Sequence, residues 1–431
     1  MCSSDLVSSG VGARACPLPG GTGCRGGGTD EPMRDALILL TLWLTLFTQS
    51  SQFLIVAPIL PRIGEQLRVD EAYLGLLVTG YAIGTAVFAI LAGPISDHVG
   101  RRTILRIGSV AMAGVLVLHG WASSYASLLL LRCLAGASSG ILAGAAVAYV
   151  GDVVPYERRG TAMGVVMSAM AFGQILGIPA GSVLADLWGF QAAFISFGVI
   201  MGIASVLTMT ALPLAHVRRG HTLGLREAIG SYAALLARRD VQAVAAAGAL
   251  MMLSVSSYIV YQPIWLEEHF DASPNEVASL FLVGGLANAL VGPIAGRLSD
   301  RIGRKGLVVF GSVTLAVLMI LTPLIPSFVL LYVLFFSVMG TVALRISPYN
   351  ALLTAMVEQE RRGTLMSLSM ASSQVGFALG AAVAGWTYVK LGYTGNAIAA
   401  GLGALAVGAI LAAWVGEPGA PQALRRDDAA A

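Results

Sequence analysis

Two short runs in this chain place a carboxylate, two glycines and a pair of cations at fixed spacing. The first is Gly93-Pro-Ile-Ser-Asp97-His-Val-Gly100-Arg101-Arg102 and the second is Gly296-Arg-Leu-Ser-Asp300-Arg-Ile-Gly303-Arg304-Lys305. Every residue of the first lies 203 positions before its counterpart. The chemistry open to such a set is electrostatic. Asp97 and Asp300 can cap or pair with a neighbouring helix terminus. Gly100 and Gly303 suit a tight turn at positive φ, and the paired cations can hold acidic groups. The same offset relates Glu157-Arg158-Arg159-Gly160 to Glu360-Arg361-Arg362-Gly363, Gly173 and Gly177 to Gly376 and Gly380, and Gly189-Phe190 to Gly392-Tyr393. Four matches at one spacing mark an internal repeat.

The elements that position these runs are membrane helices. Only 11% of the 431 residues are charged and 56% are hydrophobic, with a mean hydropathy of +0.79. Soluble domains carry about 25% charged residues, so lipid must solvate most of this chain. Twelve apolar stretches are each long enough to cross about 30 Å of hydrocarbon as a helix. They lie at 36–61, 73–95, 104–120, 125–150, 161–185, 191–212, 241–265, 276–296, 307–325, 328–354, 364–388 and 395–416. The runs are continuous rather than alternating, which excludes a β-barrel. The expected fold is an all-α membrane protein with 12 transmembrane helices as two six-helix repeats. Residues 1–32 read as a disordered or artefactual extension before Met33. Residues 33–213 form the first bundle, 214–240 a polar, basic linker, 241–416 the second bundle and 417–431 a tail.

Basic residues give the orientation. Sixteen of the 26 Lys+Arg fall in or beside the connections after helices 2, 4, 6, 8 and 10, whereas Arg62, Arg68 and Lys390 fall in the opposite connections. By the positive-inside rule, both termini and the even-numbered loops are cytoplasmic. The net charge of +3 follows from this bias and implies no nucleic-acid partner. Arginine outnumbers lysine 24 to 2 in an Ala- and Gly-rich chain, which fits a GC-rich bacterial genome and an inner membrane. Cys2, Cys16 and Cys24 are spaced irregularly for a metal site. Cys133 stands alone in the membrane body, so no internal disulfide is expected there.

Two arginines interrupt apolar runs, where a charge is expensive and faces a cavity or a partner. Arg132 lies about seven residues into helix 4. It either snorkels to the outer interface or has a functional role. Gly136, Gly140 and Gly144 follow it at four-residue spacing and make one face smooth for a neighbouring backbone. Arg345 lies about seventeen residues into helix 10. It either holds an anionic substrate group, pairs with Asp152, Glu358 or a helix carboxyl end, or snorkels beyond a helix that ends early at Pro348. No Asp or Glu falls in the middle of any helix.

The repeat and the twice-present signature G-x-x-x-D-x-x-G-R-[RK] resemble the major facilitator superfamily over residues 33 to about 416. The resemblance implies two halves that alternate access around a midplane site. It implies that Gly93, Asp97, Gly100, Arg101, Arg102, Gly296, Asp300, Gly303 and Arg304 act as a latch between halves. Arg132, at the head of an R-x-x-x-G signature, corresponds to an arginine linked to proton coupling. Gly173-Gln-Ile-Leu-Gly177-Ile-Pro179-Ala-Gly181 is similar to the exporters' signature G-x-x-x-G-P-x-x-G-G, with Pro179 one residue late. Its counterpart keeps Gly376 and Gly380 but has Ala382 where proline would fall, so the export signature belongs to the first half. The run from Gly151 to Gly164, and Arg345-Ile-Ser-Pro348-Tyr-Asn350, resemble the drug and sugar efflux branch.

One departure concerns the coupling ion. Drug/proton antiporters of this family carry an Asp nine residues before the proline matched by Pro61, and here that residue is Gln52. Asp35 and Asp152 join Arg132 as coupling candidates. Helices 1, 4, 7 and 10 line the path in this family, which makes Gln49, Gln52, Tyr258, Tyr261, Gln262, Asn288, Arg345, Asn350 and Gln374 path candidates. Each polar group taken alone reads more readily as glue between helices than as a ligand contact. The function implied is secondary active transport: proton-coupled efflux of small amphipathic solutes, drugs or sugars, by a monomer in the bilayer. The proton gradient is the expected energy source, with no cofactor or metal. Uptake or facilitated diffusion of a metabolite is the alternative, and Gln52 favours it. An enzyme is not expected, because neither G-x-x-x-x-G-K-[ST] nor H-E-x-x-H occurs.

Overall fold

A computed structural model describes residues 30–155, 158–213, 225–357 and 362–415. Residues 1–29, Glu157, Glu358, Glu360, Arg361, part of the expected linker and the tail lie outside the described residues, as do the side chains of Gly93 and Asp97. Among those described, all regular structure is helical. The first crossing is α1 (Asp30–Leu54) followed by α2 (Val56–Leu67), and α3 (Glu71–Val99), α4 (Arg101–Leu118) and α5 (Tyr125–Val153) come next. Then α6 (Arg159–Phe172) runs through a π-helical turn, Gly173–Gly177, into α7 (Ile178–Trp188), and α8 (Phe190–Thr210) completes the first half. A short helix, α9 (Leu225–Leu236), stands within the linker. The second half holds α10 (Arg239–Ile259), α11 (Gln262–Phe270), α12 (Pro274–Ile302), α13 (Arg304–Leu321), α14 (Phe328–Ala355) and α15 (Arg362–Trp414).

Eleven of these helical runs are long and apolar enough to cross a membrane. The last, α15, has 53 residues. A straight helix of that length would reach about 80 Å, well beyond the hydrocarbon. Gly392, at φ 64 and ψ −170, breaks it into two crossings and restores the count of twelve. The expected first helix, 36–61, needs correction: it breaks at Ile55. Pro58 supplies the reason, because it offers no N–H to the carbonyl of Leu54 and its ring crowds that turn.

The repeat seen in the loops extends through the backbone. Six described residues have positive φ, and they fall into three pairs 203 apart: Arg68 with Asp271, Gly100 with Gly303 and Gly189 with Gly392. Asp70 and Ser273 cap α3 and α12 at the same offset. So do two 3-10 turns, His119–Trp121 and Thr322–Leu324. Gly303 ends α12 and starts α13 at φ 95 and ψ 141. Side chains strain there by about 1–3 kcal/mol. Gly303→Ala is therefore expected to lower Tm, whereas Gly306→Ala, which meets nothing within 4 Å, is not. Equal Tm values for the two variants would contradict the strain.

Small residues set the helix contacts. A methyl group at Gly136 would overlap the Tyr81 carbonyl oxygen, and one at Gly140 would lie 2.5 Å from that of Thr85, so α5 packs its glycines against α3. Gly144 meets nothing within 4 Å, so the expected row of three reduces to two. Outward faces are apolar and exposed, as with Val199, Ile203 and Val206 on α8 and Phe310, Val313 and Val317 on α13. These faces meet lipid. One apolar core takes in residues of both halves, including Leu60 and Ile63 of α2 and Trp265 and Leu266 of α11. The second half keeps a separate core next to the basic loops, built from Leu235, Val241, Tyr349, Leu365 and Leu411 among others. The halves thus share a core at the end away from the basic loops.

Candidate functional site

The seam between the halves is sealed at that same end. Tyr261 donates its hydroxyl hydrogen to the Glu71 carbonyl (2.5 Å) and accepts from the Gly75 N–H (2.9 Å). Thr79 donates to the Ala378 carbonyl (2.8 Å). A methyl group at Gly75 would overlap the carbonyl oxygen of Ala381, and one at Gly385 would lie 2.5 Å from that of Ala72. The Phe53 and Phe377 rings meet at 4.6 Å. At the rim, Arg62 lies 3.3 Å from Asp186 of its own half and 4.0 Å from Glu267 of the other. Tyr388 donates to Glu268 at 2.5 Å.

Most of these bonds reach main-chain atoms across the seam, so they form only when the second half lies directly against α3. Removing one hydroxyl should weaken the closed seam by about 1–2 kcal/mol. Tyr261→Phe is expected to shift the closed-to-open ratio by roughly 5–30-fold. The readout is faster maleimide labelling of a cysteine placed at Ala378 in a cysteine-free chain. Unchanged labelling would contradict the bridging role.

Arg132 sits where α1, α3, α5 and α8 meet. It is fully buried, so it does not snorkel. Its guanidinium carbon lies 4.3 Å from the centre of the Tyr81 ring and 5.7 Å from that of Phe194. One nitrogen donates to the Gln52 carbonyl at 3.2 Å, while Nε and Nη1 have no hydrogen-bond partner. The Gln52 side chain is buried beside it with both amide atoms unpartnered. Gln49 is tied down, donating to the Ser139 carbonyl and hydroxyl at 2.8 Å each. Cation–π contact offsets part of the cost of this buried charge, and the unused donors leave the rest uncompensated. His119, its ring centre 4.3 Å from that of Phe194 at a 31° tilt, escaped the sequence reading because a lone histidine carries no spacing signal.

The glycine- and proline-rich segment has a distinct geometry. Gly173, Gly177 and Gly181 face α1, where added methyl groups would strike Ser50, Ser51 and Ile55. Pro179 cannot donate to the Ile175 carbonyl, and the π turn falls at this point. In the second half, Gly376 and Gly380 pack on Ala249 and Leu253 of α10 in the equivalent way. Ala382 stands in place of the proline and that helix keeps its α turns. The π turn brings the Ile175 backbone against Gly285 of α12, in the other half. Asn288 donates to Gln174 across the same contact (3.2 Å). Gln174 and Gly285 are thus seam residues that the motif alone did not single out.

The basic-end loops repeat their chemistry as well as their sequence. Arg101 donates to the Ala148 carbonyl and Arg304 to that of Ala351, each at 2.9 Å and again 203 apart. Gly100 and Gly303 both take the positive φ expected of them. Arg101 meets Asp152 at 2.7 Å, and Arg304 meets Asp300 at 3.5 Å. The counterpart of Asp152 is Ala355. Arg102 is partly buried with its Nε unpartnered. Asp152 is therefore held by a cation of its own half, and Asp35 is exposed at the start of α1. Gly93, Asp97 and Gly296 fall on α3 and α12 before these turns.

The remaining candidates scatter. Tyr258 is buried within the second half, its hydroxyl 3.0 Å from that of Thr322. Gln262 is buried with its amide unpartnered. Gln374 is buried on α15 and Asn350 is exposed on α14. Arg345 is fully buried, so it does not snorkel, and α14 runs on past Pro348 to Ala355. Among the described residues no three His, Cys, Asp or Glu side chains gather where they could hold a metal ion.

Comparison with known proteins bears on most of the chain. The family model of the Major Facilitator Superfamily matches residues 42–252 and 244–430. The uncharacterized MFS-type transporter YceJ of Bacillus subtilis is 26% identical over 350 residues, 80% of this chain and 89% of that protein. The multidrug resistance protein MdtG of Klebsiella pneumoniae is 25% identical over 68% of this chain and 72% of its own. Among solved structures, a D-xylose-proton symporter superposes with a TM-score of 0.74 at 17% identity, covering 89% of this chain and 98% of the other. An inward-facing bacterial homologue of the lysosomal transporter Spinster superposes at 0.67 and 16% identity, covering 90% and 96%.

Proposed function

The chain belongs to the major facilitator superfamily, a family of membrane transporters and not of enzymes, and on that premise we propose that it exports small amphipathic solutes in exchange for protons. Drugs or sugars are the solute class, alternating access is the mechanism, and the bacterial inner membrane is the setting. Arg132 carries this reading: a cation held beside Gln52 at the joint of α1 and α5 can sense both a proton and a solute reaching that joint. The glycine-rich π turn in the first half, and relatives named for multidrug resistance, support the outward direction. The basic loops face the cytoplasm in this account, so the sealed seam faces outward. Gly93, Asp97 and their repeat partners act as the latch that forms when the basic end closes.

Uptake or facilitated passage is the second reading, favoured by Gln52 in place of an acid. Expression in a pump-deficient bacterium, with a broad panel of lipophilic drugs and sugar analogues, tests the first. Resistance raised by the parent chain and lost with Asp97→Ala supports export. No change in resistance, combined with thermal stabilisation by a nutrient metabolite, would overturn it.

A further inference from the structure

The second buried arginine takes no part in the seam, the latch or the Arg132 joint. Arg345 on α14 is fully buried, and Nε, Nη1 and Nη2 all lack a hydrogen-bond partner. Its stem lies on α13, where a methyl group added at Gly311 would stand 2.8 Å from Cγ. The packing partners of α13 are α12, α14 and α15, all of the second half. The repeat shows what this position holds without a charge. Leu142 on α5 lies 203 residues earlier and rests on Gly108 of α4, with the corresponding approach at 2.9 Å. A niche built for a buried aliphatic side chain has received a guanidinium with five N–H donors.

Such a charge strongly destabilises a protein unless an opposite charge meets it. Among the described residues no carboxylate hydrogen-bonds to it, and Asp152 and Asp300 pair with Arg101 and Arg304 instead. We propose that Arg345 holds a small monovalent anion, chloride under cellular conditions, in a site enclosed by α13 and α14 within the second half and apart from the solute path. One cation without a carboxylate calls for one monovalent charge. A spherical ion accepts hydrogen bonds from several of the five donors without a fixed geometry of its own.

The test needs no transport assay, so it stands whether or not the export reading does. The purified full chain is dialysed against radiolabelled chloride and melted in chloride or in gluconate at equal ionic strength and pH. The parent is expected to bind about one chloride per chain and to melt about 3 °C or more higher in chloride. Arg345→Leu, which copies Leu142, is expected to bind none and to melt alike in both salts; Arg345→Met serves if that variant fails to fold. A parent that binds no chloride would overturn the proposal, as would a chloride response that survives the loss of Arg345. Indifference to chloride together with a lower Tm for Glu358→Gln would assign the counter-charge to the chain itself, and would overturn it equally.

Discussion

Arg132→Met is expected to cut gradient-driven transport steeply while leaving the protein as stable as the parent, or more so. The two halves of this outcome have separate causes. A buried guanidinium with two unused nitrogens carries an uncompensated desolvation penalty. Replacing it with an apolar side chain of similar length removes that penalty and keeps contact with the Tyr81 and Phe194 rings. Transport loses the one charge that links the carbonyl of Gln52 on α1 to α5. Coupling free energies between sites run to about 1–3 kcal/mol, so flux should fall by about 5–150-fold. Flux in proteoliposomes and Tm of the same preparation provide the check. A variant that is destabilised and still transports would make Arg132 a structural residue.

The second large effect is expected from Gly75→Val. The backbone of α3 meets that of α15 so closely at this residue that an added methyl group overlaps the Ala381 carbonyl oxygen. Carbonyl oxygens in paired helices cannot swing aside, so the halves must part. The variant should insert and fold, because the packing inside each bundle runs through helix pairs other than α3 with α15, but its seam should stay open and cycling should stop. A cysteine placed at Ala378 would then be labelled at all times, instead of only in one stage. Gly144→Val is the control, since nothing lies within 4 Å of the added group, and it should transport normally. Normal transport by Gly75→Val would mean that this seam is not a gate.

How much of this was legible before the structure depends on where the partner atoms lie. Gly100 and Gly303 adopt the positive φ expected of them, and Gly189 and Gly392, legible only as a repeated pair, adopt it as well. Helix count and class followed from length and hydropathy. The break at Ile55 was missed because Pro58 acts three residues ahead of its own position. Tyr261 read as a polar path residue, yet its partners are main-chain groups of Glu71 and Gly75, which no side-chain pattern announces. Gly136 and Gly140 behave as the spacing suggested and Gly144 does not, because no neighbouring atom comes within 4 Å of a methyl group there. The niche of Arg345 required knowing that Gly311, on another helix, lies beneath it. Both arginines looked able to snorkel, and burial alone decided otherwise.

The account as a whole stands on proton-driven export through two halves that close in turn. Everted membrane vesicles containing the protein expose its basic loops to the medium, and an imposed acid-inside gradient should drive lipophilic solute into them. Accumulation that collapses when an uncoupler dissipates the gradient, and that falls steeply with Arg132→Met, is the predicted result. Accumulation indifferent to the gradient, or equal in vesicles carrying the variant, would contradict it.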